Sequence, residues 1–134
     1  MKRILIKNAK IVNEGSIFEG DVLIENEFIV EIADFISAKS SDCKIIDAEG
    51  NFLIPGAIDD QVHFREPGNP DKEDLESGSK AAILGGITSI FEMPNTNPTT
   101  DNFERFQEKL DRAKNRMHCN YAFYFGATEN NFEL

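Results

Sequence analysis

Downstream of Pro55-Gly56 the chain alternates between two hydrophobic periods, and that alternation limits its folds more than any other feature. Ala57 to Phe64 reads as a strand. Asp71 to Leu84 reads as a helix, with Asp71 at the N-cap, Asp74 three residues on, and a narrow stripe of Leu75, Gly78, Ala81 and Ala82. Gly85-Gly86 ends it, and Ile87 to Met93 is the next strand. Asp101 to Met117 is a second helix, with Asp101 and Glu104 spaced as a capping pair and Phe103, Phe106, Leu110, Ala113 and Met117 on one face. Asn120 to Phe125 is a third strand, with Tyr121, Phe123 and Phe125 on one side. Strand, helix, strand, helix, strand is the order of a parallel α/β sheet with right-handed crossovers. That order fits an open doubly wound sheet and a barrel alike.

The segment before Pro55 is different. Ile4 to Val12, Asp21 to Ile24, Phe28 to Ile32, Lys44 to Ile46 and Phe52 to Ile54 are short strands, with turns at Asn26-Glu27 and Glu49-Gly50-Asn51. The expected organisation is therefore a small all-β unit over residues 1–54 and an α/β unit over 55–134.

Composition narrows the partners. Fourteen basic against 24 acidic residues give a net charge of −10, which argues against a nucleic-acid or anionic membrane surface. Two widely spaced cysteines, Cys43 and Cys119, read as thiols in a reducing compartment. The apolar run after Met1 stops at Lys7, too short for a signal-peptide core, so the expected location is the cytoplasm.

Four side chains stand where chemistry is weighed. Gln61 and His63 close the first α/β strand, and i and i+2 positions of a strand point the same way, toward its C-terminal end. A histidine there suits zinc; a glutamine amide is a poor zinc ligand, and a complete site takes three or four donors. A histidine held only by structural hydrogen bonds is the competing reading. Arg65, two residues on, has the planar fork that fits a carboxylate, though a surface salt bridge is the commoner role of any single arginine. Asn95 lies in Met93-Pro94-Asn95-Thr96-Asn97-Pro98, a loop stiffened by two prolines, where it suits either a ligand oxygen or local turn bonds. His118 and Cys119 begin the third strand at the opposite end and read as structural.

Two elements are specific at their separation: Gln61-Val62-His63-Phe64-Arg65-Glu66-Pro67-Gly68, preceded by Pro55-Gly56-Ala57-Ile58-Asp59, and Met93-Pro94-Asn95. With them the chain resembles the class I dihydroorotases of the amidohydrolase superfamily. The resemblance implies β-sandwich strands followed by the first three strands and two helices of a (β/α)₈ barrel. It implies a zinc-dependent cyclic amide hydrolase that interconverts dihydroorotate and N-carbamoyl-L-aspartate in pyrimidine synthesis, with the metal acting as Lewis acid and activating water. On this chain it assigns His63 to the metal, and Arg65 and Asn95 to the substrate carboxylate. It also implies a homo-oligomer. Gln61 stands where most of the family has the first histidine of a His-x-His pair. A barrel takes about 200 residues or more, so the expectation is an N-terminal fragment, inactive alone and holding no catalytic residue. The alternatives are a non-catalytic dihydroorotase-like scaffold and a hydantoinase or allantoinase.

Overall fold

A computed structural model describes residues 2–38 and 41–132. The chain divides into two compact units, Met1–Pro55 and Gly56–Leu134.

The first unit is one five-stranded sheet. β1 (Arg3–Asn13) and β2 (Ser16–Glu25) form an antiparallel hairpin, β3 (Phe28–Ala33) continues it, and β4 (Lys44–Asp47) and β5 (Phe52–Leu53) pair in parallel with β1. Glu14 and Gly15, both at positive φ, make the first tight turn. A bulge between Ile6 and Ala9 puts Asn8 at φ 55°, and the buried Asp21 carboxylate accepts the freed Asn8 N–H at 2.9 Å. Leu5, Leu23, Ile36 and Cys43 form one core cluster, and Ala9, Ile11 and Val22 form another. The resemblance implies strands belonging to a β-sandwich domain, and the described residues of this unit form one sheet of five strands. β2 is also longer than Asp21 to Ile24, because pairing with β1 carries the less apolar Ser16–Gly20 stretch into the ladder.

The second unit runs β6 (Ala57–Val62), α1 (Leu75–Leu84), β7 (Ile87–Glu92), α2 (Phe103–Ala113) and β8 (Asn120–Phe123). The strands are parallel and ordered β6-β7-β8, so each crossover steps the same way along the sheet. One core cluster joins Phe64, Leu75, Ile90, Ala113 and Phe123, with Ala82 of α1 and Phe106 and Leu110 of α2 packed against it. Gly78 allows the close approach of α1: a Cβ there would lie 2.5 Å from the Phe64 ring.

Four expectations shift. The N-cap of α1 is Asp74 and not Asp71; its carboxylate accepts the Ser77 N–H at 2.6 Å, and the Ser77 hydroxyl accepts the Asp74 N–H at 3.3 Å. Ala81 is exposed and Ser79 is buried in its place. The Ser79 hydroxyl accepts the His118 N–H at 3.1 Å, which ties α1 to the residues leading into β8. The cap of α2 is Asn102, which accepts the Arg105 N–H at 2.9 Å, while Asp101 pairs with the Arg105 guanidinium at 2.7 Å. α2 stops at Ala113 because Lys114 leaves the helical region and Asn115 takes φ 62°; Met117 still packs on the core from beyond the helix.

Candidate active site

All three parallel strands end on the same side, and the segments leaving β6 and β7 carry the expected site residues. His63 follows β6 and is half-buried. Its Nδ1 lies 3.0 Å from Asn95 Oδ1, on the segment after β7. An oxygen acceptor at Nδ1 calls for the tautomer with its proton there, which leaves the Nε2 lone pair as the free ring donor. The same bond leaves the Asn95 side-chain N–H₂ as a donor for something else.

Arg65, Asn95, Thr96 and Asn97 share a polar hollow of about 300 Å³ with Pro67, Gly68 and Asn69. The two segments are bound to each other: Asn97 N–H donates to Pro67 carbonyl at 3.2 Å, and a Cβ on Gly68 (φ 113°) would sit 2.6 Å from Asn97 carbonyl oxygen. Arg65 and Asn95 thus line one concavity, and a guanidinium and a carboxamide are both able to donate hydrogen bonds to a carboxylate.

Gln61 is exposed and lines a different hollow, with Asp60, Met93, Pro94 and Tyr124. Between Asp59 and Val62 the register against β7 slips, and Asp59 Oδ1 accepts the Gln61 N–H at 3.0 Å. The same-side argument for positions 61 and 63 assumed a regular strand, and β6 is irregular there.

A family profile described as Dihydro-orotase-like matches residues 50–131. The chain belongs to the dihydroorotase-like family. This dihydroorotase-like chain is 45% identical over 125 residues to a dihydroorotase of Staphylococcus epidermidis, covering 93% of the chain and 29% of that protein. It is 53% identical over 100 residues to the dihydroorotase of Carboxydothermus hydrogenoformans, covering 73% of the chain and 23% of that relative. Among solved structures, the L-hydantoinase (dihydropyrimidinase) of Arthrobacter aurescens superposes with TM-score 0.89 at 32% identity, over 98% of the chain and 29% of that structure. A D-hydantoinase from a Thermus species superposes with TM-score 0.81 at 31% identity, over 97% of the chain and 29% of that structure. The dihydroorotase-like chain therefore spans less than a third of the length of these relatives.

Zinc needs three or four donors, and no group of three His, Cys, Asp or Glu side chains suited to a metal exists among the described residues.

Two charged clusters are held by α2 and the segment just after it, and sequence reasoning missed both. Glu66, inside the Arg-Glu-Pro-Gly element, turns away from the hollow and is buried. Arg116 grips it bidentately at 2.8 and 2.9 Å, Leu75 N–H donates to it at 3.2 Å at the start of α1, and Arg112 lies 3.5 Å away. The Arg116 hydrogen bonds hold its carboxyl below the usual range despite burial. Glu92, the last residue of β7, is ion-paired with Lys109 of α2, and both are essentially fully buried. Burial pushes Glu92 up to about 7 against the opposing pull of Lys109 and, through space, of Arg65; burial also lowers Lys109. The available signal was a lysine inside the apolar stripe of α2 and a glutamate ending an apolar strand.

Proposed function

We propose that this chain supplies the carboxylate-binding corner and one metal donor of a dihydroorotase, a zinc-dependent cyclic amide hydrolase that interconverts dihydroorotate and N-carbamoyl-L-aspartate in cytoplasmic pyrimidine synthesis. The observation that carries the proposal is the shared hollow of Arg65 and Asn95, with Asn95 hydrogen-bonded to His63. In this reading β6-α1-β7-α2-β8 are the first three strands and two helices of a (β/α)₈ barrel, and residues 1–54 belong to a β-sandwich domain. The uniform stepping of β6, β7 and β8 and the single core shared by both helices support the barrel. His63 offers Nε2 to the metal, whose remaining donors come from residues outside this chain. When bound, zinc supplies Lewis acidity at the amide carbonyl. Arg65 and the Asn95 amide hold the substrate carboxylate, which fixes the ring beside His63. The working enzyme is a homo-oligomer acting on a small molecule.

A hydantoinase is the second reading, favoured by the superposed structures. Hydantoin itself carries no carboxylate, which would leave Arg65 and Asn95 without their natural partner, so the dihydroorotase reading is preferred. The third, a non-catalytic scaffold, rests on Gln61.

The test begins with the coding sequence beyond Leu134. The expected finding is further barrel strands bearing histidine and aspartate, in a full-length product that binds zinc and turns over N-carbamoyl-L-aspartate. R65M in that product should raise the KM for N-carbamoyl-L-aspartate about tenfold or more, since a charge-assisted bidentate contact is lost. A metal-free, inactive full-length protein would favour the scaffold, and preference for hydantoin in a substrate panel would favour the second reading.

A further inference from the structure

We propose that Lys109 is a positioning residue: from α2 it grips the end of β7 and so sets where Asn95 meets His63. What the loop serves rests on the dihydroorotase reading; how it is held does not.

Lys109 occupies a site where α2 otherwise presents Phe106, Leu110 and Ala113 to the core. It is 1% exposed and its partner Glu92 is 0% exposed. A pair of apolar side chains of similar volume commonly serves stability as well as a buried ion pair does. The use of two charges therefore points to direction rather than to adhesion. The ammonium has three N–H donors, and it faces the Glu92 carboxylate, the Met93 carbonyl at 3.4 Å and the Phe123 ring of β8 at 5.2 Å.

Met93 links β6 to α2. Its N–H donates to Val62 carbonyl at 2.9 Å, immediately before His63, and its carbonyl receives Lys109. Both ends of this residue are thus held, one by β6 and one by α2. Pro94 follows with a fixed φ, and Asn95 then meets His63 at 3.0 Å. Downstream, Thr100 N–H donates to Pro94 carbonyl at 2.9 Å, so the loop closes on the same anchor.

The test is hydrogen–deuterium exchange on the 134-residue chain, comparing the segment 93–100 with α1. The exchanged pair E92K/K109E keeps two opposite charges in the core but removes the ammonium that α2 sends to Met93. E92L/K109M replaces both charges with apolar groups and serves as the second variant. The expected result in both is exchange roughly tenfold to hundredfold faster at Met93, Asn97 and Thr100, the loss of one charged hydrogen bond, with α1 unchanged. Parent-like exchange at 93–100 in both variants would overturn the proposal, as would equal acceleration throughout the chain, which marks a general stabiliser. Titration of N-carbamoyl-L-aspartate into the full-length product, with exchange read over the same segment, separates the two claims. Absence of protection at 93–100 on titration counts against the dihydroorotase reading and leaves the exchange comparison intact.

Discussion

Replacing Arg116 by methionine should destabilise the second unit by about 2 kcal/mol, a value between two known limits. An exposed ion pair contributes about 0.2–1 kcal/mol, and breaking a buried one costs roughly 3–5 kcal/mol. The Glu66–Arg116 pair lies between them: the Glu66 side chain is 8% exposed and that of Arg116 is 33% exposed. Both guanidinium contacts are short and parallel, which favours the upper limit. Leu75 N–H and the more distant Arg112 remain on the carboxylate in the variant, which favours the lower. With a urea m-value of about 2 kcal/mol/M, the midpoint should fall by roughly 1 M. The pH dependence separates the charge from the packing. Glu66 has a folded pKa below its ordinary 4.5, so the folded state binds its proton less tightly than the unfolded state. Its contribution is complete above about 4.5 and is lost as pH falls through the folded value. E66Q, which keeps the shape, should therefore lie below the parent at neutral pH and converge with it in acid. Urea unfolding followed by circular dichroism at both pH values is the assay. An R116M midpoint within about 0.3 M of the parent at neutral pH would refute the reasoning, because the pair would then behave as solvated surface charge.

G78A should cost about 1–3 kcal/mol by overpacking, since the new methyl would lie 2.5 Å from the Phe64 ring; a thermal melt reads it, and an unchanged midpoint would mean that α1 can shift freely. D74A should cost about 1 kcal/mol through loss of the helix cap, while D71A should stay within about 0.5 kcal/mol of the parent. Equal effects of these two in urea would return the cap to Asp71. Glu92, raised to about 7 in the fold, binds its proton more tightly when folded than when unfolded. Its contribution therefore favours folding below about 4.5 and is lost as pH rises through about 7. E92Q should accordingly lose less stability than the parent between about pH 5 and about pH 8, and a parent whose urea midpoint does not fall over that range would contradict this.

The order and type of the elements were legible where local periodicity is strong, as in the spacing of Phe106, Leu110 and Ala113 in α2, whereas Phe28 to Ile32 of β3 are all exposed and owe their strand to pairing with β2. The element ends were less legible because they depend on distant groups. Asp71 and Asp74 look alike as caps from sequence, yet Glu66 meets the N–H of Leu75, and that contact is consistent with a helix start at 75. The hollow was legible as residue types, Arg65 and Asn95, but their meeting depends on how Pro67-Gly68 and Asn97 pack together. The charged clusters were hidden because each member of Glu66–Arg116 and Glu92–Lys109 is an ordinary surface residue until its partner is found.

Gln61 joins these two kinds of information. The sequence marks it as a weak metal donor, and alternation places it beside His63. In the structure His63 meets Asn95, and Gln61, beside a register slip in β6, lines a hollow with Met93 and Tyr124. Restoring a histidine by Q61H would therefore change the donor without straightening the strand. Two imidazoles grip one ion only if both reach it, so the residue type and the backbone register act together at this corner. On the proposed function, in which His63 holds the metal, a second donor at position 61 depends on both the residue type and the local register of β6.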